Sequence, residues 1–493
     1  MMGKVYLIGA GPGDEELITL KGKRKLEECT AVLYDRLAGN NILNYLNEDC
    51  KVYYCGKEPG SHYKTQEEIN TMLVKLAKEG HIVGRIKGGD PYVFGRGGEE
   101  ALELVKEGIE FQVVPGVTSA TSVLGYAGIP VTQRGMSQSF HVITGMSANT
   151  LNVNWESIAK EKGTLVFLMG LENLENIVEK LAHGGKDIET PAAVIMRGTT
   201  ARQRKVVGTL KDISEKTREA GLKSPCIIVT GEVIKLNDTL NWYEKLPLFG
   251  ANICITRSKE QSIKIKNELK DLGAEVTELN SIAFRDISYN LERFLDNLKE
   301  YDHILFTSVN SVNHFFDYLK KKEYDIRNLK ANFSVLGKAV SNALKDKGII
   351  PYKTAAAFTS EGLFKEIEKD LKQGEKVLIP GSMQAKDYLQ REIGRLGVKV
   401  DKVSIYETVQ GVMKNTRAFE ESDIVVFTSP TTVNNLIKAV GDQEIRKKTS
   451  IAIGPVTYKA LEENGIDAEI CTEHSHEGLV DKIDEVWRRM RND

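Results

Sequence analysis

Short apolar runs alternate with longer segments of helical periodicity along most of the chain. Continuous apolar runs of this length indicate strands that are buried on both faces, and the segments between them indicate crossover helices. The clearest runs are residues 5–8, 113–114, 165–168, 227–229, 253–255, 304–306, 377–379 and 424–427. The pattern therefore predicts parallel α/β sheets throughout, with functional residues in the loops that follow the strands.

The alternation lapses at residues 236–249, where a proline interrupts a segment without strand or helix signals. A chain of 493 residues suggests roughly three domains, although two enlarged or four small domains also fit. We therefore expect a boundary in this segment, with one domain over 1–240 and a second part over 250–493.

The second part contains an internal repeat. Phe306-Thr-Ser matches Phe427-Thr-Ser, residues 335–344 match 452–461, and residues 361–364 match 477–480, in the same order. The repeat predicts two similar lobes that face each other across a cleft, and a cleft between lobes is a common ligand site.

Composition and charge exclude several classes of protein. The chain has 67 basic and 69 acidic residues, so long-range attraction to nucleic acid or to an anionic membrane is not indicated. No stretch reaches the roughly 18 apolar residues that a membrane span needs. The six cysteines show no C-x-x-C spacing, which favours reduced thiols in the cytoplasm. The N-terminus enters a strand directly and does not look like a signal peptide.

Two glycine-rich loops follow strands in the first half. The first, GAGPGD at 9–14, begins like a dinucleotide-binding turn, but its third glycine comes too early and Pro12 interrupts it. The second, at 84–98, is dense in glycine and lacks the spacing of a phosphate-binding P-loop. Glycine lets a backbone approach a ligand closely, so the second loop is predicted to be a ligand cradle.

Other polar residues of the first half allow two interpretations. Thr118 and Ser119 stand at the start of a predicted helix, where they would cap it, contact a ligand, or do both. Five arginines cluster around the glycine-rich segments and would grip paired carboxylates or form solvated surface charge, the second being favoured for the last two: Arg96, Arg134, Arg197, Arg202 and Arg204.

The second half repeats hydroxyl and glycine residues at strand ends. Such groups at helix N-termini bind anions, and as helix caps they would look the same. Their duplication around the expected cleft favours ligand binding. We found no metal-ligand cluster, nucleophile elbow or catalytic triad in this half, and we expect no metal.

The first 235 residues or so resemble the uroporphyrinogen-III C-methyltransferases, which use S-adenosylmethionine. The resemblance rests on GAGPGD at 9–14, YDRL at 34–37, GGDPYVFGR at 88–96, VPGVTS at 114–119, FLMG at 167–170 and RGTT at 197–200. It implies the α/β tetrapyrrole methylase fold, with two subdomains at about 1–115 and 116–240. Other tetrapyrrole methylases and the diphthine synthases share this fold.

The resemblance also implies residue roles and a homodimer formed through this half. Asp35 would be the proton acceptor and Lys57 the proton donor, which suits a C-methylation that must lose a proton. The implied methyl-donor contacts are Pro12, Gly88, Gly89, Asp90, Val93, Thr118, Ser119, Met169 and Gly198.

The second half resembles uroporphyrinogen-III synthase. The carrying segments are ITRS at 255–258, LFTS at 305–308, VSIYET at 403–408, VFTSP at 426–430 and AIGPVT at 452–457. The resemblance implies a two-lobed α/β fold with a two-stranded linker, lobe one at about 250–283 plus 406–493 and lobe two at about 284–405. Tyr406 would protonate the departing hydroxyl, or be a half-buried strand tyrosine. The expected tetrapyrrole contacts are Arg257, Thr307, Ser308, Gly337, Ser382, Thr428, Ser429, Gly454 and Thr457.

Together the two resemblances imply a bifunctional cytoplasmic enzyme without nucleic-acid or membrane partners. Its second half would convert hydroxymethylbilane to uroporphyrinogen III with inversion of ring D, and its first half would methylate that product at C-2 and C-7 to precorrin-2. One alternative is a second half that only binds a tetrapyrrole. The other is a related tetrapyrrole or diphthamide methyltransferase fused to synthase-like lobes.

Overall fold

The structure is a computed structural model that describes residues 2–39, 41–56, 65–146, 153–356, 359–413 and 416–492. The chain forms two compact units. The first comprises Met1–Asn280 and Met413–Asp493, and the second comprises Ser281–Val412. No helix among the described residues is both long and apolar enough to cross a membrane. All six cysteine side chains are buried.

The chain begins with a five-stranded parallel sheet in the order β3-β2-β4-β1-β5. Its strands are β1 (Lys4–Gly9), β2 (Ala31–Tyr34), β3 (Lys51–Tyr54), β4 (Ile82–Lys87) and β5 (Phe111–Val114), and its helices are α1 (Leu20–Glu28), α2 (Gln66–Lys78) and α3 (Gly97–Lys106). Helix α2 starts with a capping box of Thr65 and Glu68, which satisfies backbone groups at its N-terminus. Because all strands are parallel, their carboxyl ends share one edge.

The next sheet is mixed, in the order β6-β7-β10-β8-β9. Its strands are β6 (Phe140–Thr144), β7 (Thr164–Leu168), β8 (Pro191–Met196), β9 (Arg204–Thr209) and β10 (Cys226–Thr230), and its helices are α4 (Ser119–Tyr126), α5 (Trp155–Lys160), α6 (Leu174–His183), α7 (Ile213–Glu219) and α8 (Asn237–Leu240). The prediction of parallel sheets throughout is wrong here, because β10 pairs antiparallel with β7 and β8, and β8 with β9. The short connection between β8 and β9 permits only antiparallel neighbours. Strands β6, β7 and β8 still end at the same edge.

The second half carries the remaining elements. Its strands are β11 (Asn252–Ile255), β12 (Glu275–Glu278), β13 (Ile282–Asp286), β14 (His303–Phe306), β15 (Asn332–Leu336), β16 (Lys353–Ala355), β17 (Lys376–Ser382), β18 (Lys399–Gln410), β19 (Ile424–Phe427), β20 (Thr449–Ala452) and β21 (Ala468–Ile470). Its helices are α9 (Lys259–Asp271), α10 (Val309–Lys321), α11 (Gly337–Asp346), α12 (Ser360–Ile367), α13 (Tyr388–Gly394), α14 (Thr416–Glu420), α15 (Pro430–Val440), α16 (Asp442–Arg446), α17 (Pro455–Glu463) and α18 (His476–Asn492).

These strands form two sheets. The first unit contains the parallel sheet β12-β11-β19-β20-β21, and the second unit contains β13-β18-β17-β14-β15-β16, in which only the pair of β13 and β18 is antiparallel. The two copies of the repeat adopt the same local structure, since β14 and β15 lead into α10 and α11 as β19 and β20 lead into α15 and α17.

Short 3-10 segments complete the structure at Glu15–Leu17, Arg36–Ala38, Asn41–Tyr45, Leu171–Asn173, Glu232–Leu236, Tyr243–Lys245 and Ile326–Asn328, and a longer one covers Ser288–Glu300. The apolar cores lie between each sheet and its helices. The core of the first sheet, for example, includes Leu7, Leu33 and Val83. This packing leaves the loops after the strands free to carry polar residues.

Candidate functional site

Three glycine loops of the first half meet at the carboxyl edge of the first sheet. Gly89 donates its backbone N–H to Gly11 O at 2.7 Å, and Gly11 donates in return to Gly89 O at 3.3 Å. A Cβ atom on Gly9 would lie 2.5 Å from Gly116 Cα and 2.6 Å from Gly89 O. These backbones therefore touch directly, and the contact excludes a side chain at Gly9 and at Gly116.

Asp90 ties two of these loops together. Its Oδ1 accepts the backbone N–H of Tyr92 at 2.8 Å, and its Oδ2 accepts the backbone N–H of Gly116 at 2.9 Å. Both carboxylate oxygens are thus used to hold the loop after β4 against the loop after β5. Asp90, which is predicted to contact the methyl donor, therefore also holds these two loops together.

Six of the predicted methyl-donor residues belong to these adjoining loops: Pro12, Gly88, Gly89, Asp90, Thr118 and Ser119. Thr118 caps α4 by accepting the N–H of Ala120 at 3.3 Å, so the capping interpretation is confirmed for it. A Cβ atom on Gly89 would lie only 3.9 Å from Ser119 N. Ser119 begins α4 and therefore presents its backbone N–H near the loop after β4.

The other three predicted donor residues lie farther along the same loops or on the second sheet. Val93 follows β4 and is exposed. Gly198 follows β8, and its carbonyl oxygen would lie 3.4 Å from a Cβ atom on Gly13, so it borders the first loop. Met169 follows β7 with an exposed side chain, and no described contact joins it to the other donor residues.

Several residues in the loops after the strands have an unusual backbone conformation. Among the described residues, six other than glycine have a positive φ, and five of them lie in these loops: Phe94, Arg96, Met169, Arg197 and Thr199. Such conformations cost free energy and persist where surrounding structure enforces them, often at functional sites. The residues with a positive φ therefore cluster in the same strand-end loops that contain the sequence motifs.

Asp35 lies in the loop after β2. This loop is beside the glycine loops that are predicted to bind the methyl donor, which are called the donor loops below. Its Oδ1 accepts the N–H of Leu37 at 3.0 Å, and its Oδ2 accepts from Arg85 Nη2 at 3.3 Å. A Cβ atom on Gly88 would lie 2.6 Å from Leu37 O, which places this loop against the glycine cradle. The expected proton donor, Lys57, lies outside the described residues.

A buried charged cluster, which no sequence motif indicated, lies beneath Asp35. Arg85 Nε and Lys87 Nζ both donate to Glu100 Oε1, at 3.0 and 2.8 Å, and all three side chains are at least 95% buried. Burial, together with the Arg85 charge, lowers the pKa of Lys87. Burial opposes the charge of Arg85 as well, but Glu100 and Asp35 together raise its pKa. The sequence feature that could have indicated this cluster is the pair of basic residues, Arg85 and Lys87, at alternate positions of a buried strand.

Most of the arginines expected to grip carboxylates are already engaged. Arg197 pairs with Glu421 at 2.5 Å, and Arg202 pairs with Asp423 at 2.7 Å. The surface-charge expectation is therefore wrong for Arg202, because α/β elements of the second half pack against this loop. Of the other three predicted arginines, Arg96 pairs with Glu99 and Arg204 donates to Ala220 O. Arg134 is exposed.

In the second unit, three predicted residues meet around one hydroxyl. The Tyr406 hydroxyl lies 3.0 Å from Ser308 Oγ and also interacts with Ser382. Its ring is stacked on His314 and packs edge-on against Phe284. Burial raises the pKa of Tyr406, and the two serine contacts partly offset that rise. The hydroxyl therefore stays protonated at neutral pH and can donate a proton.

The remaining expected tetrapyrrole contacts lie at carboxyl ends of neighbouring strands. Thr307 and Gly337 follow β14 and β15 in the second unit, and Thr428, Ser429, Gly454 and Thr457 follow β19 and β20 in the first. Ser308 and Ser429 each form a capping box, with Ser311 and Thr432 respectively. The cap interpretation is confirmed for both serines, and their ligand contacts remain predictions.

Arg257 and Ser258, after β11, differ from these caps. Among the described residues, Arg257 Nε and Ser258 Oγ are buried without a hydrogen-bond partner. Burial lowers the pKa of Arg257. Arg257 as a whole is half-buried, and a buried donor such as its Nε costs free energy unless a ligand oxygen accepts its hydrogen bond. This position is therefore suited to a carboxylate of a ligand.

The first-half site fits a methyl donor of the expected kind. Its tightly packed glycine loops allow close approach of a ligand to the backbone, and Val93 exposes an apolar side chain in the loop after β4. The chain matches two protein families. Residues 4–214 match Tetrapyrrole (Corrin/Porphyrin) Methylases, and residues 263–481 match Uroporphyrinogen-III synthase HemD.

Similar proteins cover between about half and nearly all of the chain. The Porphyrin biosynthesis protein HemD of Ruminiclostridium josui is 36% identical over 495 residues, which is 98% of each chain. The Uroporphyrinogen-III C-methyltransferase of Bacillus subtilis is 38% identical and covers 79% of this chain and 77% of that protein. The S-adenosyl-L-methionine-dependent uroporphyrinogen III methyltransferase of Methanosarcina barkeri is 51% identical and covers 48% of this chain and 94% of that protein.

Proposed function

The chain belongs to the tetrapyrrole methylase family in its first half and to the uroporphyrinogen-III synthase family in its second half, and we propose that it performs both reactions in sequence. The second half converts hydroxymethylbilane to uroporphyrinogen III with inversion of ring D. The first half methylates that product at C-2 and C-7 and releases precorrin-2. The observation that carries this proposal is the nearly full-length match to one relative, together with a polar site in each half.

For methyl transfer, the glycine cradle binds S-adenosylmethionine, which supplies an electrophilic methyl group. Gly88 and Gly89 carry no side chain and would let the donor approach the backbone closely, and Asp90 keeps their loop in place. Val93 and Met169 cover its apolar parts. Holding the donor and the pyrrole carbon in one orientation supplies much of the rate enhancement of a two-substrate reaction.

Asp35 takes the proton that the pyrrole carbon loses after methylation. Its carboxylate is held from both sides, by the Leu37 N–H and by Arg85. Arg85 in turn is fixed by Glu100, so the acceptor oxygen has a defined position. Lys57 is proposed as the proton donor of the same reaction.

For ring closure, the second half folds a flexible linear tetrapyrrole so that its ends meet. Arg257 binds a carboxylate of the substrate, and the hydroxyl and glycine loops after neighbouring strands bind others. Tyr406 protonates the departing hydroxyl, which leaves as water. Few acid–base residues are needed, because the reaction is mainly one of proximity.

Product analysis tests both activities. The purified chain is incubated anaerobically with hydroxymethylbilane, with and without S-adenosylmethionine. We expect the type III porphyrinogen without the donor and precorrin-2 with it. Formation of the type I isomer alone would show that the second half does not act as a synthase, in favour of a binding module. Failure to methylate added uroporphyrinogen III would reject the first activity and favour another methyltransferase substrate.

We also propose a cytoplasmic homodimer formed through the methyltransferase half. Leu102 and Val105 lie one turn apart on α3 and are 71% and 61% exposed, which is unusual for apolar side chains on an outer helix. Light scattering after size exclusion tests this. We expect twice the chain mass, and a Leu102→Glu variant should be monomeric if this face forms the interface.

A further inference from the structure

Asp14 is the point at which the methyl-donor loops are joined. It directly follows the Gly11-Pro12-Gly13 turn. Its backbone N–H donates to Thr199 Oγ1 at 3.2 Å, and its Oδ2 accepts from the Tyr126 hydroxyl at 2.9 Å. Its side chain is only 15% exposed. One aspartate therefore connects the loop after β1 with α4 and with the loop after β8.

Each of those contacts leads to a residue proposed to bind the donor. Pro12 is two positions before Asp14, Gly198 precedes Thr199, and α4, which ends at Tyr126, starts at Ser119. The loop after β1 packs tightly against the loop after β8, because a Cβ atom on Gly13 would lie 2.6 Å from Thr200 Cγ2. A displacement of Asp14 would therefore be transmitted to the donor loops.

Asp14 Oδ1 also accepts the backbone N–H of Glu16 at 3.0 Å, and its charged partner comes from the synthase half. Lys270 lies in the last turn of α9, and its Nζ is 3.0 Å from Asp14 Oδ1, 3.0 Å from Glu15 Oε1 and 3.4 Å from Glu16 Oε2. The lysine side chain is 91% buried. Burial opposes its charge, but the carboxylates together raise the pKa of Lys270.

Lys270 thus offsets the charge of three consecutive carboxylates at the end of the donor loop. Lys266, one turn earlier on α9, pairs with Glu15 and Glu278 and does not contact Asp14 among the described ion pairs. Without Lys270, the repulsion between Asp14 and its neighbours would favour a displaced loop.

We propose that Lys270 of the synthase half is a positioning residue of the methyltransferase site, because it holds Asp14 at the junction of the donor loops. This inference rests on the proposed function of the first half. It means that the donor site is complete only when α9 is packed against it. The same helix begins two residues after Arg257, the residue proposed to bind a carboxylate of the synthase substrate, so both proposed sites adjoin one structural element.

The test uses three variants of the full chain. Lys270→Met removes the charge and keeps most of the side-chain volume, Lys270→Arg restores the charge, and Lys264→Met is the control on the same helix. Lys264 is 73% exposed and pairs with Glu477. Calorimetry measures the Kd of S-adenosylhomocysteine, and methylation assays measure the KM for S-adenosylmethionine and kcat with uroporphyrinogen III.

We expect Lys270→Met to raise the Kd and the KM about tenfold, with kcat changed less than threefold. Lys270→Arg should recover most of the affinity, and Lys264→Met should match the wild type. A folded Lys270→Met chain with a Kd within twofold of the wild type would overturn the inference. If that variant does not fold, the Glu16→Gln/Lys270→Met double variant, which has one carboxylate fewer, is measured by the same criterion. Absence of binding to the wild type would instead reject the proposed function.

Discussion

The hydroxyl of Tyr406 lies 3.0 Å from the hydroxyl of Ser308, although 98 residues separate them in the chain. Ser308 is fixed by its capping box at the start of α10, and Tyr406 is fixed by its ring contacts on β18. The phenol is therefore held in one orientation at the carboxyl edge of its sheet. This geometry is suited to a proton donor.

Replacement of Tyr406 by phenylalanine should slow ring closure while preserving the fold. The ring contacts remain, and only the proton donor is lost, so we expect kcat for hydroxymethylbilane to fall about 100-fold. The matched control is Tyr301→Phe, because Tyr301 is also buried and its hydroxyl donates to Asp401 at 2.8 Å. Tyr301→Phe should retain activity. A Tyr406→Phe rate within threefold of the wild type would identify Tyr406 as a packing residue.

Arg257→Met should weaken substrate binding without loss of stability. The variant removes a half-buried guanidinium whose Nε has no described partner, so the melting temperature should stay constant or rise. The KM for hydroxymethylbilane should rise roughly tenfold, which corresponds to about 1.4 kcal/mol. Arg327→Met, at an exposed residue paired with Asp325, is the control and should change neither quantity. A lower melting temperature with an unchanged KM would assign Arg257 a structural role.

Asp90→Asn should weaken binding of the methyl donor. An amide has one acceptor oxygen, so one of the backbone N–H groups of Tyr92 and Gly116 loses its partner at a cost of about 1–2 kcal/mol. We expect the KM for S-adenosylmethionine to rise about tenfold. Asp187→Asn is the control, because Asp187 accepts a single backbone N–H in an exposed turn. Equal KM values for Asp90→Asn and the wild type would contradict this prediction.

Glu275 should make stability depend on pH. Burial raises the pKa of Glu275 to about 7, and the charges of Glu15 and Glu421 add to the effect. The folded state therefore holds this proton more tightly than the unfolded chain, so stability from this group is full below about pH 4.5 and is lost as the pH rises through about 7.

Glu275→Gln removes this dependence. We expect calorimetry to show a gain of about 1–3 kcal/mol at pH 8 and little change at pH 5. Glu463→Gln, at an exposed residue paired with Lys459, is the control and should show no difference between the two pH values. A Glu275→Gln effect of the same size at both pH values would show that the carboxyl does not titrate in this range.

Local sequence patterns predicted the strands well. The apolar runs at 5–8, 165–168 and 424–427 all lie within strands, and the run at 304–306 leads into the hydroxyl loop that was expected to be functional. These elements are encoded locally, because a fully buried strand needs continuous apolar residues and a helix start needs a cap. The repeat also placed Ser308 and Ser429 at equivalent strand ends, and the structure shows a capping box at each of them.

The direction of strands in the second sheet was not predictable from the same patterns. A buried strand has the same apolar run whether its neighbour is parallel or antiparallel. The side-chain contacts of Arg197 and Arg202 were equally hidden, because their partners Glu421 and Asp423 lie more than 200 residues away.

The sequence by itself determined the elements, the motif order and the two families, because these depend on short-range patterns and on the identity of residues in loops. Only the tertiary structure decided which distant charges meet. Lys270 and Asp14 are 256 residues apart, and their ion pair exists because α9 packs beside the first glycine loop. Asp14 ends the GAGPGD motif, but nothing in either segment indicates that Lys270 is its partner. Burial turns them into partners, since a charge removed from water needs an opposite charge nearby.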